Sequence, residues 1–304
     1  MRRLLVAALL VSTLAFGCDR SGGPPPAQRA AGVRFTVVAA ESFWGSLAGQ
    51  LAGSRADVSS IIVNPNTDPH SYEPNAQDAR TIAVGQVVIV NGIGYDEWAT
   101  RLLSASPQSG RVVIDVGKQL ALREGDNPHQ WYSPAHVVAV IDAITAAYEK
   151  LDPADAAYFA AQRARLLGAG FARYDQLRSE IRSHFAGVPV GYSESIFQPL
   201  GEDLGLKLLT PYSFAKAIAE GTDVTAADKQ AVDEQVSRRL IKVWVFNSQN
   251  VTPDVQRVTA IARRQRIPVA TVTETLAPAS DSFQQWQVAQ LEALLAALRA
   301  SGAK

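Results

Sequence analysis

An α/β protein of two lobes, each a mainly parallel sheet flanked by helices, joined by one long backbone helix, is the fold class the sequence predicts. Three observations predict it. Short β-branched runs recur in the first half, each followed by a polar or Gly-rich turn and then a helical pattern, as buried parallel strands do. The same rhythm returns in the second half. Between the two, residues 153–185 offer no strand candidate, only Ala, Leu, Arg, Gln and Tyr at helical spacing. Alternation of this kind favours helices packed on parallel sheets.

The chain opens on a basic Met1-Arg2-Arg3 followed by a nearly all-apolar stretch from Leu4 to Ala15, with small Gly17 before Cys18. This is the pattern of an export signal, expected to be removed as residues 1–17. The stretch is shorter than the ~20 apolar residues of a membrane-spanning helix. Cys18 is the only cysteine, which excludes an intrachain disulfide. It stands where a lipoprotein signal peptidase would leave a new N-terminus for acylation, although Phe16 replaces the usual small residue of a lipobox. Acyl chains at Cys18 would anchor the protein to membrane lipid. Residues 18–32, with Pro24-Pro25-Pro26 and neighbouring glycines, read as a flexible tether.

The folded body then divides into a first lobe at 33–150, a linking helix at 151–186 and a second lobe at 187–304. Strands are expected at 35–38, 58–63, 87–90 and 112–115 in the first lobe, and at 188–192, 206–209, 241–246 and 268–272 in the second. Pro153 suits the first turn of the linking helix. Tyr158, Leu166, Phe171, Tyr174, Leu177 and Ile181 give it one apolar side, over a length of roughly 45 to 50 Å at ~1.5 Å per residue. A last helix spans about 282–298. Lys plus Arg number 29, as do Asp plus Glu, and losing Arg2 and Arg3 with the signal leaves the mature chain slightly acidic. No basic face points to a nucleic-acid partner.

The chemistry gathers in loops after strands. Asp68-Pro69-His70-Ser71-Tyr72-Glu73-Pro74 follows the 58–63 run, and Asn127-Pro128-His129-Gln130-Trp131 follows the 112–115 run. Both histidines come after a proline, whose fixed φ stiffens the loop that presents the imidazole. In the second lobe Glu194 follows the 188–192 run and Glu274 the 268–272 run. Ligands of open α/β sheets bind beyond the carboxyl ends of strands, where all four residues fall. Two imidazoles and two carboxylates would make a site for a divalent transition metal. Each residue also has a plainer reading: His70 and His129 as ordinary loop histidines that cap turns, Glu194 as a cap for the helix starting near Ser195, Glu274 as a solvated side chain. Asp68 and Glu73 are candidates for orienting an imidazole or are simple turn residues. His136 and His184 read as structural. The Asn247-Ser248-Gln249-Asn250 turn faces the cleft side, where hydrogen bonding to the site is possible.

Asp68-Pro69-His70-x-Tyr72-Glu73-Pro74, Asn91-Gly92-x-Gly94-Tyr95-x-x-Trp98 and Asn127-Pro128-His129-x-Trp131 resemble the solute-binding proteins of zinc and manganese ABC transporters, over nearly the whole mature chain. The resemblance implies that His70 and His129 are the first two metal ligands. The third, a histidine in zinc binders and often a glutamate in manganese binders, falls on Glu194, before Gly205-Leu206. The fourth, normally an aspartate, falls on Glu274. The His-rich loop of many zinc members is absent, and with Glu194 this tilts the expected cargo toward manganese or iron. Zinc also accepts carboxylates and stands above manganese in intrinsic affinity.

The expectation is therefore an exported, lipid-anchored, monomeric binding protein, periplasmic or at the cell surface and not an enzyme. It would take one Mn²⁺ or Zn²⁺, with Fe²⁺ also in range, and deliver it to an ABC transporter permease. The alternatives are a secreted metal-dependent hydrolase, for which no His-Glu-x-x-His helix is present, and an adhesin that metal merely stabilises.

Overall fold

The computed structural model describes residues 34–67, 69 and 71–303. Cys18, Asp68 and His70 lie outside the described residues. Two four-stranded, all-parallel sheets carry the architecture. The first consists of β1 (Phe35–Glu41), β2 (Ala56–Ile62), β3 (Val87–Val90) and β4 (Val112–Asp115), in the order β2-β1-β3-β4. The second consists of β5 (Pro189–Tyr192), β6 (Lys207–Leu208), β7 (Val243–Asn247) and β8 (Val269–Val272), in the order β6-β5-β7-β8. The fold class read from the sequence is borne out.

Central strands are buried because helices cover both faces. All four residues of Val87-Val88-Ile89-Val90 are buried, as are Val37, Val38 and Ala39 beside them. In both sheets the chain first steps one way and then reverses, between β1 and β3 and between β5 and β7. A crevice opens at such a reversal, beyond the carboxyl ends of the strands. Glu41 ends β1, Asn91 follows β3, Glu194 lies just past β5 and Asn247 ends β7.

The expected long helix is present as two segments, Ala156–Arg165 and Ala172–Phe185, joined by a π-helical turn at Leu166–Gly170. Apolar spacing runs straight through that turn, so periodicity alone does not reveal it. Leu166, Phe171, Tyr174, Leu177 and Ile181 on these segments, together with Phe283, Trp286 and Leu291 on the last helix, Phe283–Ala300, enter one core with residues of both sheets. That helix starts on a capping box in which Ser282 and Gln285 satisfy each other's backbone N–H groups. No helix among the described residues is long and apolar enough to cross a membrane.

Candidate metal centre

His129, Glu194 and Glu274 converge. The three are buried, and each offers a donor atom lying within 4.8 Å of the others'. His129 Nε2 stands 3.2 Å from Glu274 Oε1 and 3.6 Å from Glu194 Oε1. The helix-cap reading of Glu194 fails, because its side chain makes no capping hydrogen bond to the turn at Ser195–Phe197.

The imidazole is oriented by its own loop. Asn127 Oδ1 accepts from the His129 backbone N–H at 3.1 Å and lies 2.8 Å from Nδ1. Which end of that amide is oxygen follows from its other end, where Nδ2 donates to the Ser195 carbonyl at 2.8 Å and to Gln198 Oε1 at 3.1 Å. Nδ1 therefore carries a proton, and Nε2 faces the carboxylates. Three electron-pair donors this close are stabilised only by a proton or a cation among them. Asn127 also ties the His129 loop to the second lobe.

Aromatic rings close the site behind His129. Trp131 stacks on Phe43 with centroids 3.9 Å apart and meets Tyr95 at 5.1 Å and His129 at 5.2 Å. Asn91 fixes the loop from the sheet side. Its Oδ1 accepts from Trp44 Nε1 at 3.1 Å, and its Nδ2 donates to the Pro128 carbonyl at 3.0 Å. The next three residues all have positive φ, of 70°, 60° and 78° for Gly92, Ile93 and Gly94. At Gly92 a Cβ would also come within 2.5 Å of Asp115 Oδ1, so only glycine fits there. This turn delivers the Tyr95 hydroxyl to Glu274 Oε1 at 3.2 Å. Burial, reinforced by the charges of Glu274, Glu41 and Glu194, pushes the Tyr95 phenol well above its usual range and keeps it a donor.

Asp96 holds the same turn by accepting from the Asn91 and Gly92 N–H groups at 2.7 and 2.8 Å. Its carboxyl is nevertheless pushed up to about 6, because burial outweighs those bonds. Beside it Glu41, fully buried, is raised well above the carboxylate range, by burial first and by Asp96 second.

In the second lobe the carboxylates are set by amides of one turn. Asn247 Nδ2 donates to Glu194 Oε2 at 2.7 Å and lies 3.4 Å from Glu274 Oε2. Gln249 Oε1 accepts from the backbone N–H groups of Glu274 and Thr275 at 2.7 and 3.0 Å. Pro65, Asn66 and Thr67, leading toward the segment that holds His70, line a cavity of about 140 Å³ with Gln249, Val251 and Glu274.

Glu73 is exposed, in the turn before Asn75, whose side chain caps the helix Ala76–Val84; His70, the imidazole it was a candidate to orient, lies outside the described residues. Asn127 orients the imidazole of His129. The Asn127 role was legible as an Asx turn, in which the side chain bonds its own backbone two residues on. His136 and His184 lie away from the cluster, beside Gln130 Oε1 and the Glu180 carbonyl respectively.

The profile of the family described as zinc-uptake complex component A, periplasmic, matches residues 37–297. Similar curated proteins include the manganese-binding lipoprotein MntA of Halalkalibacterium halodurans, 28% identical over 158 residues, covering 50% of this chain and 51% of that one. The iron-binding protein YfeA of Yersinia pestis is 26% identical over 185 residues, covering 57% and 58%. The chain thus spans little more than half the length of these relatives. Among solved structures, the Mn-bound periplasmic metal binding protein from Candidatus Liberibacter asiaticus superposes with a TM-score of 0.73 at 19% identity, over 87% of this chain and all of that one. The solute-binding protein FpvC from P. aeruginosa, in complex with Ni²⁺, gives 0.69 at 22% identity, over 90% and 99%.

Proposed function

The chain belongs to the family of periplasmic zinc-uptake component A proteins, and from that premise we propose that it captures one divalent transition metal between its lobes and hands it to an ABC importer. The observation that carries this reading is the buried convergence of His129, Glu194 and Glu274. Two carboxylates and a neutral imidazole, out of contact with water, match a dication in charge and in donor type. His70 completes the donor set as the partner of His129 in the paired Pro-His loops. Donors drawn from both lobes make uptake and closure one event, and separating the lobes would release the ion to a permease.

Export through residues 1–17, acylation at Cys18 and a tether to residue 32 would keep the body near such a permease. Names of relatives as manganese-binding and iron-binding proteins support the ion class.

Calorimetric titration of the metal-stripped protein with Zn²⁺ and Mn²⁺ tests the reading. One site per chain is expected. Removing an outer partner of a metal ligand typically costs ~10–100-fold in affinity, and loss of a ligand itself in His129→Ala or His70→Ala should cost more. Undiminished stoichiometric binding in His129→Ala would overturn the proposal.

A further inference from the structure

We propose that Asn127 is a positioning residue that fastens the two lobes over the bound ion, so that the bonds it makes across the seam set how slowly the ion is released. This rests on the capture reading above and concerns the release step of that same site.

Asn127 is the middle of a hydrogen-bond relay whose polarity is fixed from its outer end. Glu202 is exposed, and its carboxylate accepts from Gln198 Nε2 at 2.8 Å. Gln198 Oε1 is thereby turned inward and accepts from Asn127 Nδ2 at 3.1 Å, beside the Ser195 carbonyl, which accepts from the same nitrogen at 2.8 Å. Asn127 Oδ1 is left facing the His129 loop, 3.1 Å from its backbone N–H and 2.8 Å from Nδ1. Ser195 is the residue after Glu194, and its Oγ lies 3.3 Å from His129 Nδ1 across the same seam. One side chain of the first lobe thus bonds on one side to the histidine of the cluster and on the other to the neighbour of its first glutamate. Lys216 Nζ also crosses the seam, to the Gly125 carbonyl at 3.2 Å, but meets neither a member of the cluster nor the residue beside one.

Separating the lobes far enough to free an ion has to break both Nδ2 bonds. The ion itself strengthens them. A cation at Nε2 draws charge from the ring and makes the Nδ1 proton a better donor, and an amide that accepts more strongly through oxygen donates more strongly through nitrogen. Occupancy and closure therefore support each other. Trp131 and Tyr95 keep the plane of the imidazole whether or not the seam bonds are made, so losing those bonds acts on the seam. The relay is half-buried, beside a cavity of about 290 Å³ lined by Asp126, Gln130, Pro199 and Glu202. Water can take over its bonds there as the lobes part, and the fastening slows release without preventing it.

Stopped-flow mixing separates the two rates. Zn²⁺ uptake is followed by tryptophan fluorescence, since Trp131 lies 5.2 Å from His129, and release by transfer of bound Zn²⁺ to an excess of a colour-forming chelator. Asn127→Ser keeps a hydroxyl able to accept the His129 N–H in the same turn but is too short to cross the seam. Its release should be faster by about tenfold, the loss that an outer partner of a metal ligand brings, with uptake unchanged. Gln198→Ala, which leaves Asn127 on the imidazole, should speed release by a smaller factor, and Lys216→Ala, which breaks a seam bond away from the cluster, should not. Wild-type release in Asn127→Ser, or an equal acceleration in Lys216→Ala, would overturn the proposal. So would an affinity loss carried by slower uptake, the sign of a ligand loop that is merely distorted. Should Asn127→Ser not fold, Gln198→Ala decides, and an unchanged release rate there overturns it. A wild-type chain that takes up no Zn²⁺ would remove the capture reading itself, and the proposal with it.

Discussion

In the first lobe the His129 imidazole projects from a loop and is wedged among rings, with Trp131 and Tyr95 beside it and Phe43 stacked behind. In the second, Glu194 and Glu274 stand within two residues of strand ends and are directed by Asn247 and Gln249. An imidazole has broad apolar faces, so close packing can fix its plane, and a single hydrogen bond then sets which nitrogen is bare. A carboxylate offers little volume to grip, and direction must come from donors aimed at particular oxygens. Changes behind the histidine should therefore cost folding stability, whereas changes behind the carboxylates should cost binding and selectivity.

The largest effect that could break this contrast is Trp131→Ala. Burying an indole against four other rings and then deleting it leaves a large cavity, for which ~3–5 kcal/mol of lost stability is typical. Urea unfolding of the metal-free protein measures it, and a loss below about 1 kcal/mol would mean that packing does not hold the imidazole.

The next effect uses pH in the same lobe. The Asp96 carboxyl, at about 6 in the folded chain, keeps its proton where the unfolded chain, near 3.8, has released it. Between those values the folded state binds more protons, so this residue's stabilising contribution is full below about 4 and is lost as the pH rises through 6. The change amounts to about 3 kcal/mol, at 1.36 kcal/mol per unit. The stability gap between the metal-free wild type and Asp96→Asn should thus narrow by about that much between pH 4 and pH 7. A constant gap would mean that Asp96 ionises in the folded chain as it does in water.

Much of this arrangement was legible before the structure, and unevenly so. Val87-Val88-Ile89-Val90 announces a buried strand because β-branched residues under helices leave few other readings. β1 runs to Glu41, beyond the expected 35–38, because Ala39, Ala40 and Glu41 carry no strand signal of their own and are held by pairing with β2. His129, Glu194 and Glu274 were legible from their places after strands. What Asn247 does was not, since it depends on β7 lying between β5 and β8, an order that no local pattern encodes. Glu41 and Asp96 were equally hidden: two acids distant in the chain become neighbours only when β1 and β3 pair.

The smallest effect separates the lobes most cleanly. Gln249 Oε1 accepts the backbone N–H groups of Glu274 and Thr275, and its own N–H holds Asn247 Oδ1. Gln249→Ala leaves two N–H groups without that acceptor and keeps the third bond, because the backbone donor to Asn247 survives. Gln249 is only half-buried, so water can reach the orphaned groups, and the stability loss should stay near the ~1 kcal/mol of an ordinary hydrogen bond. Metal affinity should fall further, by about tenfold, as for the loss of an outer partner at a metal site, because the Glu274 backbone loses the anchor that aims its carboxylate. Paired urea unfolding and metal titration give both numbers. A variant that lost several kcal/mol of stability with its affinity intact would place the second lobe under the same rule as the first, and the contrast between packing and hydrogen-bond direction would fall.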